Sequence, residues 1–236
     1  MRLSQNTIAI LRNFSKINSG LHFQKGHMQR TVNEYKSMIA SVVLDEECSA
    51  EAWLYPLKEF IALIATSDNP LQLTFDTAAS DTFPHGCVTI QEVGTLNRIG
   101  SVTLCPPDYF KTPPNTQLVV AKDLAFDLTA ADLAYLTIQP DKSKRAIRRS
   151  KIMLCSSDDT VRLQRMKDDS ILGFIEVRNT VTDTAPFQGA IKTEHLKRLM
   201  PGPYSVQIGK KGIAHFRYKG FPLEYWILLA SKANEV

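Results

Sequence analysis

The sequence predicts an α+β chain built from two similar units in tandem. Three observations point to it: the order helix, strands, helix, strands occurs twice, a proline-rich segment separates the two passes, and charge is strongly segregated along the chain. At 236 residues the chain fits one large domain or two ordinary ones, and either could bury a core of its own.

The first element lies in the stretch from Arg2 to Phe23. On a helical wheel from Ser4, the residues Thr7, Ile10, Leu11, Phe14 and Ile17 gather on one side, and Gln5, Ala9, Arg12 and Lys16 on the other. This is an amphipathic helix with a basic back. Ser4 is placed to accept first-turn backbone N–H groups, and Asn18, Ser19 and Gly20 offer residues that tolerate positive φ for the stop. Residues 21–48 alternate loosely, with Gly26 and Asn33 as turn points and a β-branched run near Ile39 to Val43, so strands are expected. A second helix is predicted to begin at Pro56, whose fixed φ suits the first helical position. It turns Leu57, Phe60, Ile61 and Ile64 inward and Lys58 outward. The apolar runs LQLTF, CVTIQEV and RIGSVTL, between Asn69 and Cys105, read as hairpin strands.

Pro106 to Asn115, with four prolines in ten residues, can neither continue a helix nor occupy a central strand. It reads as the connector, extending over about residues 106–118, between a first domain at 1–110 and a second at 111–236. In the second half Thr129 and Asp132 have the spacing of a capping box and open a third helix over Ala130 to Gln139. Strands follow at KIMLC, TVRLQRM and ILGFIEV. A short fourth helix starts at Thr193, turns Leu196, Leu199 and Met200 inward and stops at Pro201. The tail reads as three strands, separated by tight turns at 209–212 and 220–222.

The formal net charge is only +4, yet its distribution is uneven. Residues 1–33 hold five basic and no acidic side chains, residues 34–141 hold 5 basic and 15 acidic, and residues 142–151 hold six basic and none acidic. One electropositive and one acidic surface are therefore expected, and nucleic acid is the commonest partner of the former. Cys48, Cys87, Cys105 and Cys155 form no CxxC pair, so neither a zinc site nor a dense disulfide framework is indicated, and the chain reads as reduced and intracellular. No apolar run has the length of a membrane span, and the first twenty residues are interrupted by Arg12 and Lys16, unlike a signal peptide.

Catalytic patterns are sparse. The five histidines show no HExxH spacing, and neither a GxSxG elbow nor a phosphate-binding glycine loop occurs. The pairs Asp158-Asp159 and Asp168-Asp169 have the chemistry to hold a metal in a DNA-processing enzyme. Both fall where hairpin turns are expected, and Asp is common in turns for backbone reasons.

Several stretches carry a resemblance. RLSQNTIAILRNFSKINSG at the start, YPLKEFIALI in the position of a second helix, and MPGPYSVQI, Lys211-Gly212, Ala214-x-Phe216 and EYWILLA near the end together resemble the sliding clamps of T-even-type bacteriophages. The resemblance covers roughly a quarter of the chain. It implies two DNA-clamp domains per chain, with helices lining an inner face and antiparallel sheets on an outer face, assembled as a homotrimer into a six-domain ring. It further implies a processivity factor that encircles double-stranded DNA independently of sequence and tethers the replicative DNA polymerase. An ATP-dependent clamp loader, the polymerase and late-transcription factors would be its partners, in the host bacterial cytoplasm. No enzymatic activity, cofactor, metal or membrane is implied.

On this reading the DNA-facing residues are Arg12 and Lys16 of the first helix, Lys58 of the second, and Lys197 and Arg198 of the fourth. The third helix has no Lys or Arg, and the run that follows it, with Lys142, Lys144, Arg145, Arg148, Arg149 and Lys151, is expected to act in its place. Phosphate attraction without base reading suits a protein that must slide. A partner-peptide pocket near the connector and the C-terminal strands would use Tyr109, Phe110, Leu118, Tyr225 and Trp226, for each of which plain core packing is the alternative. The alternative functions are a monomeric DNA-binding accessory protein that uses the 142–151 run as a basic arm, and the Asp/metal enzyme.

Overall fold

The two halves of the chain run through one order of elements. In the computed structural model, which describes residues 1–67, 69–94, 97–114, 118–120, 122–138, 150–157, 159–181, 186–209 and 211–230, the chain divides into units Met1–Asn115 and Thr116–Val236. The first unit comprises β1 (Arg2–Leu3), α1 (Gln5–Phe14), β2 (Leu21–Phe23), β3 (Gly26–Val32), β4 (Met38–Cys48), β5 (Ala52–Leu54), α2 (Leu57–Ile64), β6 (Leu71–Asp76), β7 (Cys87–Glu92) and β8 (Arg98–Thr103). The second comprises β9 (Leu124–Leu128), α3 (Ala130–Thr137), β10 (Ser150–Ser157), β11 (Thr160–Lys167), β12 (Ser170–Arg178), β13 (Gln188–Lys192), α4 (Thr193–Leu196), β14 (Tyr204–Gly209), β15 (Ile213–Tyr218) and β16 (Leu223–Leu228).

Each unit is itself two β-α-β-β-β halves that exchange their first strands. In the first unit β1 pairs with β6, and β5 pairs with β2. In the second, β9 pairs with β14 and β13 pairs with β10 at the same places in the order. All of these pairings are antiparallel, as are those of the hairpins β3–β4, β6–β7–β8, β10–β11–β12 and β14–β15–β16. Within each unit the two helices lie against one another, α1 on α2 and α3 on α4. The exchanged strands explain why a two-residue strand such as β1 persists: its register is fixed by β6, about seventy residues away, and the Met1 amino group donates to the Leu73 carbonyl at 2.7 Å.

The cores follow from the alternation of the strands and the apolar stripe of each helix. In the first unit Phe14, Phe23 and Phe60 are wholly buried, and the Phe23 ring meets Phe60 edge-on with centroids 6.4 Å apart. In the second, Tyr204 meets Phe216 and Tyr225 with centroids 6.1 and 6.2 Å apart. Tyr204 Oη donates to the Met200 carbonyl, and Tyr225 Oη accepts from the Met200 amide. Burial raises both phenol pKa values, so both stay protonated.

Three predicted boundaries are corrected. Helix α1 stops at Phe14 with Ser15 in ordinary αR geometry, and none of Asn18, Ser19 and Gly20 has positive φ. The chain leaves instead through tight turns in which Lys16 and Ile17 donate to Asn13 and Phe14. Gly20 answers a different need, a close approach by Phe110. Pro56 is the N-cap of α2 with extended ψ of 134°, so the helix begins at Leu57, and Ile61 is only half-buried. Helix α3 ends at Thr137, and Gln139 lies outside the described residues. No helix among the described residues is long and apolar enough to cross a membrane.

Candidate nucleic-acid interface

Helix α1 is held at both ends. Ser4 Oγ accepts the Thr7 amide at 3.1 Å, as the sequence indicates. A second anchor comes from β4: Glu46 Oε1 accepts the Ser4 amide at 2.6 Å and Oε2 accepts the Thr7 hydroxyl at 2.7 Å. Burial works to raise the Glu46 pKa, but the hydrogen bonds from Thr7 and Ser4 outweigh it and hold the carboxyl below the usual range. At the far end Asn18 Nδ2 donates to the carbonyls of Val32 and Lys111 at 2.9 and 3.0 Å, and its Oδ1 accepts the Gly20 amide. Arg30, almost buried, donates to the Pro114 carbonyl, and desolvation lowers its pKa. The start of the connector is thereby tied to the end of α1.

Thr7, Ile10, Leu11, Phe14 and Ile17 are buried, and Arg12 and Lys16 are exposed on the opposite side. Lys58 is exposed in the first turn of α2. Lys16 and Lys58 come together at the rim of one open hollow of about 550 Å³, with Lys111, Glu34, Asp108, Tyr109 and Phe110. Lys111 was not singled out by the sequence, where it looks like an ordinary linker residue. Charge at this hollow is mixed, with three ammonium groups against two carboxylates. Arg12 lies in the last turn of α1, and Lys16 in the turn that follows the helix.

The second unit is built differently. Thr129 and Asp132 form the predicted capping box: Thr129 Oγ1 accepts the Asp132 amide at 3.1 Å, and Asp132 Oδ2 accepts the Thr129 amide at 2.9 Å. Ala130, Leu133, Ala134 and Thr137 of α3 face Leu196, Lys197, Leu199 and Pro201 across a hollow of about 250 Å³ whose lining is largely apolar. Lys197 and Arg198 follow α4 in a turn and are half-buried, and burial lowers the Lys197 pKa. His195 beside them is buried, and desolvation pushes its imidazole down to about 4 despite the neighbouring Glu194. Lys142, Lys144, Arg145, Arg148 and Arg149 lie outside the described residues, while Lys151 stands in β10 opposite Met166 and Lys192.

The five residues expected to line a peptide pocket do not share one environment. Tyr109 is exposed and meets Tyr55 edge-on at 4.8 Å, Phe110 packs over Gly20, and Leu118 is half-buried outside any strand or helix. Tyr225 and Trp226 are corrected to core residues. Tyr225 is wholly buried against Tyr204, and Trp226 is 8% exposed and stacks on His215 at 4.7 Å with the ring planes 8° apart. Both side chains are buried, and the Tyr225 hydroxyl is taken up by the Met200 amide. Of the acidic pairs, Asp159 and Asp168-Asp169 stand at hairpin turns, Asp168 with φ of 52°, and Asp158 lies outside the described residues. Among the described residues no three His, Cys, Asp or Glu side chains are grouped to hold a metal ion.

The duplicated strand-exchanged units, each with a helix pair, define a DNA-clamp fold, and solved structures agree over nearly the whole chain. The proliferating cellular nuclear antigen from Entamoeba histolytica superposes with a TM-score of 0.66 over 95% of this chain and 94% of that one, at 10% identity. The Helicobacter pylori beta clamp bound to a DNA ligase peptide gives 0.64 over 98% of this chain and 66% of that one, at 11% identity. In sequence the chain is similar to phage proteins named sliding clamp: 33% identical over 79 residues to that of Escherichia phage RB69, and 32% over 69 residues to that of Vibrio phage KVP40. The matched parts span 34% and 31% of those two relatives, and 33% and 29% of this chain. No protein-family profile matches the chain.

Proposed function

We propose that this chain is the subunit of a DNA sliding clamp: a non-enzymatic, homotrimeric ring that encircles duplex DNA without reading its sequence and tethers a replicative polymerase. On this reading an ATP-dependent loader places the ring on DNA, and late-transcription factors are further clients. The observation behind it is the coincidence of a clamp fold over nearly the whole chain with local sequence similarity to phage sliding clamps. The exposed Arg12 and Lys58 on the helix pair of the first unit, with Lys16 in the turn after α1, supply non-specific phosphate attraction.

Ring closure needs a heterologous contact, in which two different surfaces of one chain meet those of its neighbours. Among the described residues two sheet edges suit this, one in each unit. β12 bounds the sheet β12-β11-β10-β13 and exposes Ile171, Leu172 and Phe174, while β8 bounds the sheet β1-β6-β7-β8. An exposed apolar edge strand is a liability unless another chain covers it. Pairing of β12 with β8 of the next copy would cover both edges and close three chains into six domains.

Native mass is the direct test. Light scattering behind a sizing column should give about three times the 26.5 kDa chain mass, falling on dilution. A species that stays at 26.5 kDa at high concentration would remove the ring and favour a monomeric DNA-binding protein.

A further inference from the structure

The helix pair of the first unit presents Arg12 and Lys58, with Lys16 just beyond the end of α1, but α3 of the second unit, Ala130–Thr137, has no basic residue of its own. A cation reaches it from elsewhere. Arg165 of β11 extends to the C-terminal end of α3, where its guanidinium lies 4.9 Å from the centre of the Tyr135 ring and its Nη2 donates to the Ile138 carbonyl at 2.7 Å. We propose that Arg165, held on Tyr135, is the phosphate-contacting cation of the second unit's helix face. The inference rests on the sliding-clamp reading and assigns a DNA-contact residue that lies on a strand rather than on a helix.

Four features favour this over an ordinary helix cap. The tyrosine is fixed from below: a side chain at Gly173 would collide with Tyr135 Oη, so the bare backbone of β12 makes the seat for the ring. The β11·β12 register shifts at that point because Leu172 is an extra, unpaired residue on β12, so the bulge lies in the strand that seats the tyrosine, next to Gly173. The guanidinium has five N–H donors in a fork, and the Ile138 carbonyl takes one, which leaves donors for a phosphate oxygen. Lys167 stands two residues further along β11, on the same strand face, so a second ammonium accompanies the first. An arginine already held by a ring and a carbonyl has little rotamer freedom left to lose on binding, which favours contact.

The test is the salt dependence of DNA binding. The full chain is titrated into a fluorescently labelled duplex of about 30 base pairs, and anisotropy is followed over a salt series, the slope of log K against log salt counting the phosphates neutralised. Arg165→Gln removes the charge while leaving a neutral, polar side chain at the position. It should weaken binding and flatten the slope by about one unit for each phosphate no longer neutralised, while Arg165→Lys retains the slope. An unchanged slope for Arg165→Gln, with the Arg12→Gln/Lys16→Gln pair flattening it, would make Arg165 a structural cap and overturn this inference alone. If neither set moves the slope, the DNA-facing helix layer is wrong, and the assignment of Arg165 falls with it. Thermal midpoints measured alongside separate weaker DNA binding from a smaller fraction of folded protein.

Discussion

Phe110 lies against the backbone of Gly20 so closely that a Cβ built there would stand 2.5 Å from Phe110 Cδ1. The contact fastens the connector to the end of α1, beside the Asn18 hydrogen bonds to Val32 and Lys111. Gly20→Ala should displace the ring and cost about 1–3 kcal/mol, the usual range for overpacking. Chemical denaturation measures it. In a double-mutant cycle Phe110→Ala should remove most of the penalty, because the clash and the packing share one pair of residues.

Glu46 spans thirty-nine residues to hold the N-terminus of α1. Replacing it with Ala leaves the Ser4 amide and the Thr7 hydroxyl without their carboxylate acceptor and should cost about 1–2 kcal/mol. Its pKa is lower in the folded than in the unfolded state, so its contribution is fully present above the unfolded value of 4.5 and fades as pH falls through the folded value. Wild type should therefore lose stability below about pH 4.5 more steeply than Glu46→Ala, as read from denaturation midpoints in acid.

His195 gives a second acid-sensitive step with a different window. Unfolded, it takes a proton near 6.5; folded, desolvation holds it at about 4. The unfolded state thus binds more protons between these values, and stability should fall as pH drops from 6.5 to about 4, by about 3 kcal/mol, then level off in this component. His195→Leu should flatten the profile between pH 6.5 and 4, whatever its effect on stability at pH 7.

On the first unit, Lys16→Gln and Lys58→Gln each remove one cation from the rim of the shared hollow. Each should reduce the salt slope of duplex binding by about one unit with little change in stability, since both side chains are exposed. Lys111→Gln measures whether the linker lysine at the same rim belongs to that set.

Local signals were legible in the sequence and non-local ones were not. The Ser4 cap, the Thr129 and Asp132 capping box and the apolar stripe of α1 are each contained in a few residues, and all three stand as read. The helix-and-strands order appearing twice was visible for the same reason. The exchanged strands were not, because two residues of β1 or five of β9 have no pattern of their own and owe their conformation to β6 and β14. Tyr225 and Trp226 looked like docking residues by location. What buries them is the neighbouring strand, which sets Phe216 and His215 directly opposite. Trp53 repeats this in the first unit, stacked on the opposing His22 at 4.3 Å with Glu51 two residues before it on the imidazole at 2.8 Å, as Glu224 precedes Trp226. Arg165 was hidden for the opposite reason, since a basic residue in an alternating strand looks solvated until the helix it reaches is known.

A ring is held on DNA by topology, so the decisive measurement is retention on DNA of different topology. After loading onto nicked circular DNA by a matching loader and ATP, the labelled chain should stay bound through gel filtration at moderate salt and be released when a single restriction cut makes the circle linear. Retention that does not depend on DNA ends, and simply decays with salt, would contradict an encircling ring.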